Sequence, residues 1–365
     1  MKKNMTEAWV FVKEENSKTR LIRKNIDIGN IMDNEVLVKP LYGCMEGNIV
    51  HALKMEPEDI FQIRGEKEVV LGNSGVVVIE QKGSKVKDLK VGDICIYFCN
   101  GQWDDFGYPK KITGYDKSGS LGVFGKRIKL NEKEVIKIPD NSKFSLQQWA
   151  AFSLKYITAW SNWKVAYNCW KSQMQEVSPE ETYVFGWGGG VSYAELSLAK
   201  LYGCKCYLMT SQSERMRMLE ENGITGVNRK QFGESNTDEK FLEYVMTQTE
   251  GKGVSIFVDN IGHSVYKLTL KSLGRQGVIT TSGWKSGGML PILRPNECQG
   301  RHIHTFTHYA TYEEGIEAME FAINNDWMPE VSDKEYDWED IPELLQKYSE
   351  GKISSYFPIY KINSL

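Results

Sequence analysis

Hydrophobic and polar positions follow two different patterns along the 365-residue chain. Up to about residue 130, short runs rich in β-branched and aromatic residues, such as NEVLVKPLYG and SGSLGVFGKRIKL, are bounded by Gly, Asn, Asp or Ser. Runs of this length and composition predict short strands in a partly antiparallel β domain.

The pattern changes after the segment IPDNSKFSLQQWAAFSLKYITAW. The strand-like runs YVFGW, KCYLMTS, GVSIFVDN and GVITTSG then alternate with helical stretches over about 191–202, 214–222 and 264–273. This alternation predicts an α/β fold with a doubly wound parallel sheet. We place the first domain at 1–160 and the second at 161–305. Residues 306–365, with a helix in YATYEEGIEAMEFAINND and a strand in SSYFPIYKI, are expected to return to the first domain.

Composition and charge favour small-molecule chemistry. The net charge is -3 and the pI is about 6.1, and no basic cluster is available for nucleic acid or an acidic membrane. The seven scattered cysteines form no CxxC pair, which indicates a reduced, intracellular protein. The first residues turn charged too early for a signal peptide, and no apolar run approaches the roughly 18 residues of a membrane span. We therefore expect a cytoplasmic protein without a membrane partner.

A glycine-rich loop follows the strand YVF and precedes a predicted helix. In this position, backbone N–H groups can approach a pyrophosphate, and the helix N-terminus adds partial positive charge. Serine stands where the usual spacing has its last glycine, and it is small enough for close packing. The loop therefore predicts a dinucleotide site, the alternative being a tight turn without a ligand. The residues assigned to the loop are Gly186, Gly188, Gly189, Gly190, Val191 and Ser192.

The end of the next strand indicates which nucleotide binds. An acidic residue there would accept hydrogen bonds from the adenine ribose of NAD. The chain instead has Ser211 and Ser213 followed by Arg215, with no carboxylate before Glu214. Hydroxyls and a cation suit a 2′-phosphate, so NADP is favoured over NAD. The alternative for Arg215 is an ordinary solvated charge on a helix.

With these motifs in view, the chain resembles the medium-chain dehydrogenase/reductase superfamily over nearly its whole length. The matching stretches include EVLVKPLYG, VVLGNSGVVV, GSKVKDLKVGDI, YITAW, VFGWGGGVSYAELSLAKLYG, IFVDNIG and LGRQGVITTSG. The resemblance implies a Rossmann domain inserted into a GroES-like β domain, and a homodimer joined through edge strands near VITTSGWKSGG and HIHTFT. It places Thr158 near the nicotinamide. Four further residues follow predicted strands of the sheet, where nucleotides bind: Asn260, Gly262, Ser282 and Gly283.

Zinc-dependent members of that superfamily carry cysteine and a His-Glu pair at positions occupied here by Met45, Asn73 and Ser74. Thioether, amide and hydroxyl groups are poor replacements for thiolate and imidazole, so no metal is expected. Without a Lewis acid, polarising an alcohol or ketone oxygen is harder. Reduction of an activated C=C bond, with hydride added at the β carbon and a proton at the α carbon, is the more natural task.

A narrower similarity is to the crotonyl-CoA carboxylase/reductase branch. It rests on FCN, ITGYDKSGSLGVF, GVNRKQF and LRPNECQGRHIHTFTHYATYEE. The resemblance implies that Tyr115, Asp116 and His308 lie beside the enolate, and that Arg229 adds to the 2′-phosphate site. Asp116 is one methylene shorter than the branch's glutamate, and MEG at 45–47 stands where the branch has an asparagine motif. These departures favour protonation of the enolate over carboxylation.

Several hypotheses about function stay open at this point. The first is an NADPH-dependent reductase of an enoyl thioester on CoA or a carrier protein. The second keeps the fold but acts on a quinone, a free enone or a specialised biosynthetic intermediate, or carboxylates enoyl-CoA reductively. The third is a non-catalytic NADPH-binding protein. For single residues, His308 could be an ordinary strand histidine, and Asp116 could serve only a turn.

Overall fold

The computed structural model describes residues 4–14, 19–233, 235, 237–283, 285–287, 289–307, 309–332 and 334–365. The chain divides into two compact units. The first comprises Met1–Ile157 and Thr311–Leu365, and the second comprises Thr158–Ala310. No helix among the described residues is long and apolar enough to cross a membrane.

The first unit is built from short, mostly antiparallel strands. Its elements up to the long helix are β1 Met5–Lys13, β2 Thr19–Asp27, β3 Glu35–Cys44, α1 Gly47–Lys54, α2 Ile60–Arg64, β4 Glu68–Val69, β5 Gly75–Lys82, β6 Ile94–Tyr97, β7 Asn100–Trp103, β8 Pro109–Ile112, β9 Ile128–Asn131, β10 Val135–Lys137 and α3 Leu146–Gln173. Strand β3 pairs antiparallel with both β5 and β9, and its interior positions are mostly buried. The predicted β domain is confirmed, whereas the short helices α1 and α2 were not predicted.

The second unit contains the predicted doubly wound sheet. Its elements are β11 Tyr183–Trp187, α4 Gly190–Leu201, β12 Lys205–Thr210, α5 Ser213–Glu221, β13 Thr225–Asn228, α6 Thr237–Gln248, β14 Val254–Asp259, α7 His263–Ser272, β15 Leu273–Thr281, α8 Arg294–Gly300 and β16 Ile303–Phe306. The described strands pair in parallel in the order β13-β12-β11-β14-β15-β16. The three predicted helices each begin one residue earlier than expected. The carboxyl ends of β11, β14 and β15 therefore meet at one edge of the sheet.

The last part of the chain returns to the sheet of the first unit. Its elements are α9 Tyr312–Asn325, β17 Glu335–Asp337, α10 Ile341–Ser349 and β18 Ile359–Lys361. A capping box between Thr311 and Glu314 starts α9, because each side chain accepts a hydrogen bond from the other residue's backbone N–H. Strand β18 pairs antiparallel with β3 at Cys44. The strand predicted over SSYFPIYKI is therefore shorter than expected, since only Ile359–Lys361 form the strand.

Candidate functional site

The glycine loop between β11 and α4 needs glycine at Gly188. This residue has a φ of +140°, and a Cβ added there would lie 2.3 Å from the Ser192 Oγ. A Cβ at Gly189 would have no atom within 4 Å. The loop is thus tight on the side of α4 and has open space at Gly189, as a loop that admits a phosphate group requires.

A chain of hydrogen bonds ties this loop to the ends of two neighbouring strands. Ser192 donates from its Oγ to the Trp187 carbonyl at 2.8 Å and accepts from the Asn260 Nδ2 at 2.9 Å. The Asn260 Oδ1 in turn accepts from the backbone N–H and the hydroxyl of Ser282, at 2.9 and 3.1 Å. Ser192 is fully buried, so the serine in place of the usual glycine is part of the loop's own hydrogen bonding. A Cβ on Gly283 would lie 3.0 Å from the Asn260 carbonyl oxygen.

A second, fully buried chain was not predicted from the sequence. Trp187 donates from its Nε1 to the Thr269 Oγ1 at 2.9 Å, and Thr269 donates to the Asp259 Oδ2 at 2.7 Å. The other carboxylate oxygen of Asp259 accepts the N–H groups of Ile261 and Gly262 at 3.0 and 2.9 Å. Burial raises the pKa of Asp259 above its usual range, while these hydrogen bonds partly offset the effect. The sequence signal that could have revealed Asp259 is its position at the end of the apolar run IFVD.

The residues predicted to bind the 2′-phosphate lie after β12 and β13. Ser211 and Ser213 are exposed at the start of α5, and Arg215 is half-buried on that helix. The Arg229 guanidinium, after β13, lies 5.6 Å from the centre of the Trp187 ring. These two residues belong to a cavity of about 390 Å³. Its lining also includes Phe232, Phe241, His263 and Lys267.

Thr158 and Val191, the remaining cofactor predictions, lie in α3 and in the first turn of α4, and both are half-buried.

In the first unit, Tyr115 and Asp116 lie in a turn held by a buried arginine. Arg64 donates to the carbonyls of Tyr115 and Ser120 at 2.9 and 2.8 Å, and its side chain is almost fully buried. The Asp116 carboxylate accepts the backbone N–H of Ile112. Burial raises the pKa of Asp116 above its usual range, and burial also raises the pKa of the Tyr115 phenol. Both side chains therefore hold their protons to higher pH.

The third predicted catalytic residue, His308, lies outside the described residues.

Sequence reasoning missed a buried lysine on α3. Lys155 donates to the Cys44 Sγ at 3.0 Å, the Met45 carbonyl at 3.1 Å and the Glu46 Oε1 at 2.8 Å. The side chains of Lys155 and Glu46 are 3% and 5% exposed, so water does not screen the pair. Burial alone would lower the pKa of Lys155, but the acidic groups of Cys44 and Glu46 raise it, so the ammonium persists. A lysine inside the apolar run WAAFSLKYITAW was the available signal.

Comparison with known proteins supports the resemblance found in the sequence. A family model described as zinc-binding dehydrogenase matches residues 190–324, from the first residue of α4 into α9. The matched region includes most of the second unit and agrees with the resemblance to the medium-chain dehydrogenase/reductase superfamily. The resemblance found in the sequence and the predicted fold class are thereby confirmed.

Relatives in the superfamily differ in chemistry. A quinone oxidoreductase of Pseudomonas aeruginosa is 24% identical over 263 residues, which cover 68% of this chain and 67% of that protein. A putative inactive phenolphthiocerol synthesis polyketide synthase of Mycobacterium tuberculosis is 26% identical over 210 residues, 57% of this chain. The chain spans only 11% of that synthase's length.

Solved structures of the superfamily share the fold along the whole chain. A 2-octenoyl-CoA carboxylase reductase, in complex with NADP and 2-octenoyl-CoA, covers 99% of this chain and 88% of its own length. Its TM-score is 0.81 and its identity 15%, so the likeness concerns the fold. Crotonyl-CoA carboxylase/reductases are among the other structures with this fold.

The zinc in the family's description does not fit the residues at the superfamily's ligand positions. Met45, Asn73 and Ser74 offer no thiolate or imidazole, and burial raises the pKa of the adjacent Cys44 thiol to about 12. The Lys155 ammonium also lies against that thiol. Among the described residues, no three His, Cys, Asp or Glu side chains are grouped closely enough to hold a metal ion.

Proposed function

We propose that this protein is an NADPH-dependent reductase of an activated C=C bond, with an enoyl thioester on CoA or a carrier protein as the favoured substrate. The observation that carries the proposal is the glycine loop held by Ser192 and Asn260 at the carboxyl edge of a parallel sheet. The donor set at Met45, Asn73 and Ser74 favours a substrate that needs no Lewis acid, because its own carbonyl spreads the charge.

The unit Thr158–Ala310 is the proposed NADP-binding domain, and the first unit is the proposed catalytic domain. Open space at Gly189 leaves room for the pyrophosphate, while the loop residues from Gly186 to Ser192 supply backbone N–H groups. Ser211, Ser213, Arg215 and Arg229 supply hydroxyls and positive charge for a 2′-phosphate. When bound, NADPH supplies the hydride. The other residues proposed to line the cofactor site are Thr158, Asn260, Gly262, Ser282 and Gly283.

The proton that completes the reduction is assigned to the first unit's turn and to His308. Burial raises the pKa of both Asp116 and Tyr115, so each side chain keeps its proton to higher pH than usual and is a candidate proton donor. Arg64 fixes the backbone of this turn, which limits the positions that the two side chains adopt. These residues are proposed to protonate or stabilise the enolate.

The test is nucleotide binding and turnover in a matched pair of glycine variants. Gly188→Ala places a Cβ against Ser192, whereas Gly189→Ala adds one in open space. We expect Gly188→Ala to weaken NADPH binding by at least about 100-fold, and Gly189→Ala to retain the wild-type fold. Binding is followed by the fluorescence of the reduced nicotinamide, and turnover by its loss on addition of short enoyl-CoAs. Tight NADPH binding with no turnover on a panel of enoyl thioesters and enones would favour a non-catalytic nucleotide-binding protein.

A quinone or a free enone is the second candidate substrate. It is favoured by the quinone oxidoreductase relative, which covers about two thirds of both chains. Running the same assay with quinones separates the two substrate classes. Bicarbonate added to the enoyl-CoA reaction, with mass spectrometry of the product, tests reductive carboxylation.

A homodimer is proposed through the free side of β16. This strand is the outer member of the parallel sheet in the described chain, and Phe306 at its end is 63% exposed. Met289, Ile292 and Leu293 are exposed apolar residues of the same unit. A second copy would cover such apolar surface. Light scattering tests this: the wild type should be a dimer and Phe306→Lys a monomer. A monomeric wild type contradicts the proposal.

A further inference from the structure

All three N–H donors of the Lys155 ammonium are used within one turn of the chain, at 44–46. An ammonium has three N–H donors, and the three contacts go to consecutive residues, Cys44, Met45 and Glu46. No donor is left for a substrate, so the lysine cannot act on the reacting atoms directly. Its action must pass through the turn that it holds.

Two further hydrogen bonds close a ring of three chain segments. Ser74, just before β5, donates from its Oγ to the Cys44 carbonyl at 2.9 Å. The N–H of Gly75 donates to the Ser153 Oγ at 2.9 Å, and Ser153 lies on α3 two positions before Lys155. The end of β3, the start of β5 and α3 are therefore each joined to the other two by buried polar contacts.

Two amide side chains lie on the segments that this ring joins. Asn73 directly precedes Ser74, and Asn48 lies in the first turn of α1, two residues after Glu46. The side-chain oxygens of both are buried and have no hydrogen-bond partner among the described residues. Buried amide oxygens are nearly always paired, and no described residue pairs with these two, so each is available to an N–H or O–H group of a bound molecule.

We propose that Lys155 is a positioning residue: its ammonium cross-links the Cys44–Glu46 turn to α3 and so places Asn48 and Asn73 to accept hydrogen bonds from the substrate or a water beside it. The proposal rests on the proposed reductase function. Two of the three segments carry Met45, Asn73 and Ser74, which occupy the superfamily's zinc-ligand positions, and here the Lys155 ammonium contacts the first of them at the Met45 carbonyl. A buried ion pair is rarely needed for stability alone, since apolar residues of similar size serve as well.

The experiment compares Lys155→Met/Glu46→Gln with the wild type. This double variant removes both charges, so no buried charge is left unpaired. Ser74→Ala is a milder variant that removes one bond of the ring. Lys82→Met is the control, because Lys82 also donates to two carbonyls, those of Val86 and Leu89, elsewhere in the first unit. Amide hydrogen exchange, thermal unfolding, NADPH affinity and enoyl-thioester turnover are measured for each.

We expect exchange in peptides covering 42–50 and 73–75 to quicken by at least about tenfold in the double variant and by about threefold in Ser74→Ala. Turnover should fall by at least about tenfold while NADPH affinity stays within about twofold, since the ring is remote in sequence from the glycine loop. Lys82→Met should leave exchange in both peptides unchanged.

Unchanged exchange in those peptides, in either variant that folds, overturns the positioning role. Faster exchange with wild-type turnover overturns it too. A wild-type protein without enoyl-thioester turnover contradicts the proposed function instead, and the exchange data still decide whether Lys155 holds the turn.

Discussion

Two buried glutamates, Glu46 in the first unit and Glu195 in the second, have opposite surroundings: one has a charged partner and the other does not. Glu46 has the Lys155 ammonium at 2.8 Å, whereas the nearest described partner of Glu195 is the Asn162 Nδ2 at 3.5 Å. The other carboxyl oxygen of Glu195 has no partner in the described chain. Burial raises the pKa of Glu195 to about 8, so this residue is neutral at pH 7. The first unit keeps an ion pair, while the second unit, which carries the glycine loop, keeps an uncharged acid.

The largest effect is expected from Glu46→Gln. This change removes the carboxylate and leaves the Lys155 ammonium buried with neutral acceptors only. We expect the free energy of unfolding to fall by about 3–5 kcal/mol, as is usual when one partner of a buried pair is removed. Chemical unfolding followed by circular dichroism measures it. A loss below about 1 kcal/mol would show that the pair is not ionised.

Glu195→Gln is expected to change stability in the other direction. Below pH 4.5 the folded and unfolded chains both carry the proton at Glu195, so the two proteins should be equally stable. As the pH rises from 4.5 towards 8, the unfolded chain releases this proton and the folded chain keeps it, so the wild type loses stability.

The free energy of unfolding of Glu195→Gln should exceed that of the wild type by about 3 kcal/mol at pH 7, and the difference should level off above about pH 8. Unfolding at pH 5 and at pH 8 measures it. The matching control is Glu181→Gln, because Glu181 is an exposed glutamate of the same unit. An advantage that is equal at both pH values would contradict the burial of a neutral carboxyl.

The glycine loop was predictable from sequence because backbone geometry dictates its composition. Gly188 has no room for a Cβ, and the strand and helix around it leave periodic patterns in the chain. The sequence could not show that Ser192 bonds Asn260, since 68 positions separate them. The residue type at 192 was visible, but its partner depends on how the strands are ordered.

The polar cluster around Lys155 was not predictable for a related reason. Its three partners lie 109–111 positions away, and lysine has no positional preference that would announce a buried contact. The tail helix α9 was predicted from the run YATYEEGIEAMEFAINND, and three of its four buried residues are the small ones Gly315, Ala318 and Ala322. Small residues let it pack closely, as a Cβ at Gly315 would lie 2.9 Å from Phe98 and Ile136.

The next effect in size is expected on the rate of catalysis, at the turn of Tyr115 and Asp116 that Arg64 holds. Asp116→Asn keeps the acceptor for the Ile112 N–H but cannot donate a proton from an acid. We expect turnover of an enoyl thioester to fall by about 100-fold. Because the pKa of Asp116 is raised by burial, wild-type activity should decline as the pH rises through that raised value, and the variant should lack this decline. Tyr115→Phe separates the contributions of the two side chains.

If Asp116 serves only its turn, the asparagine variant will keep both the wild-type rate and the wild-type pH profile. Thermal unfolding of the variant shows whether the turn is intact. A lost rate with an unchanged pH profile would assign the proton to another group.

The smallest effect is expected at the proposed nucleotide site, from Arg229→Ala. The guanidinium lies over the Trp187 ring, so its position is partly fixed before a nucleotide binds. We expect the Kd for NADPH to rise about tenfold and the Kd for NADH to stay unchanged, because only NADPH carries the 2′-phosphate. Lys230→Ala is the control, since Lys230 is the next residue and is also exposed. Equal weakening of both nucleotides would place Arg229 against the adenine or the pyrophosphate, and the preference for NADPH would then have to come from Ser211, Ser213 and Arg215.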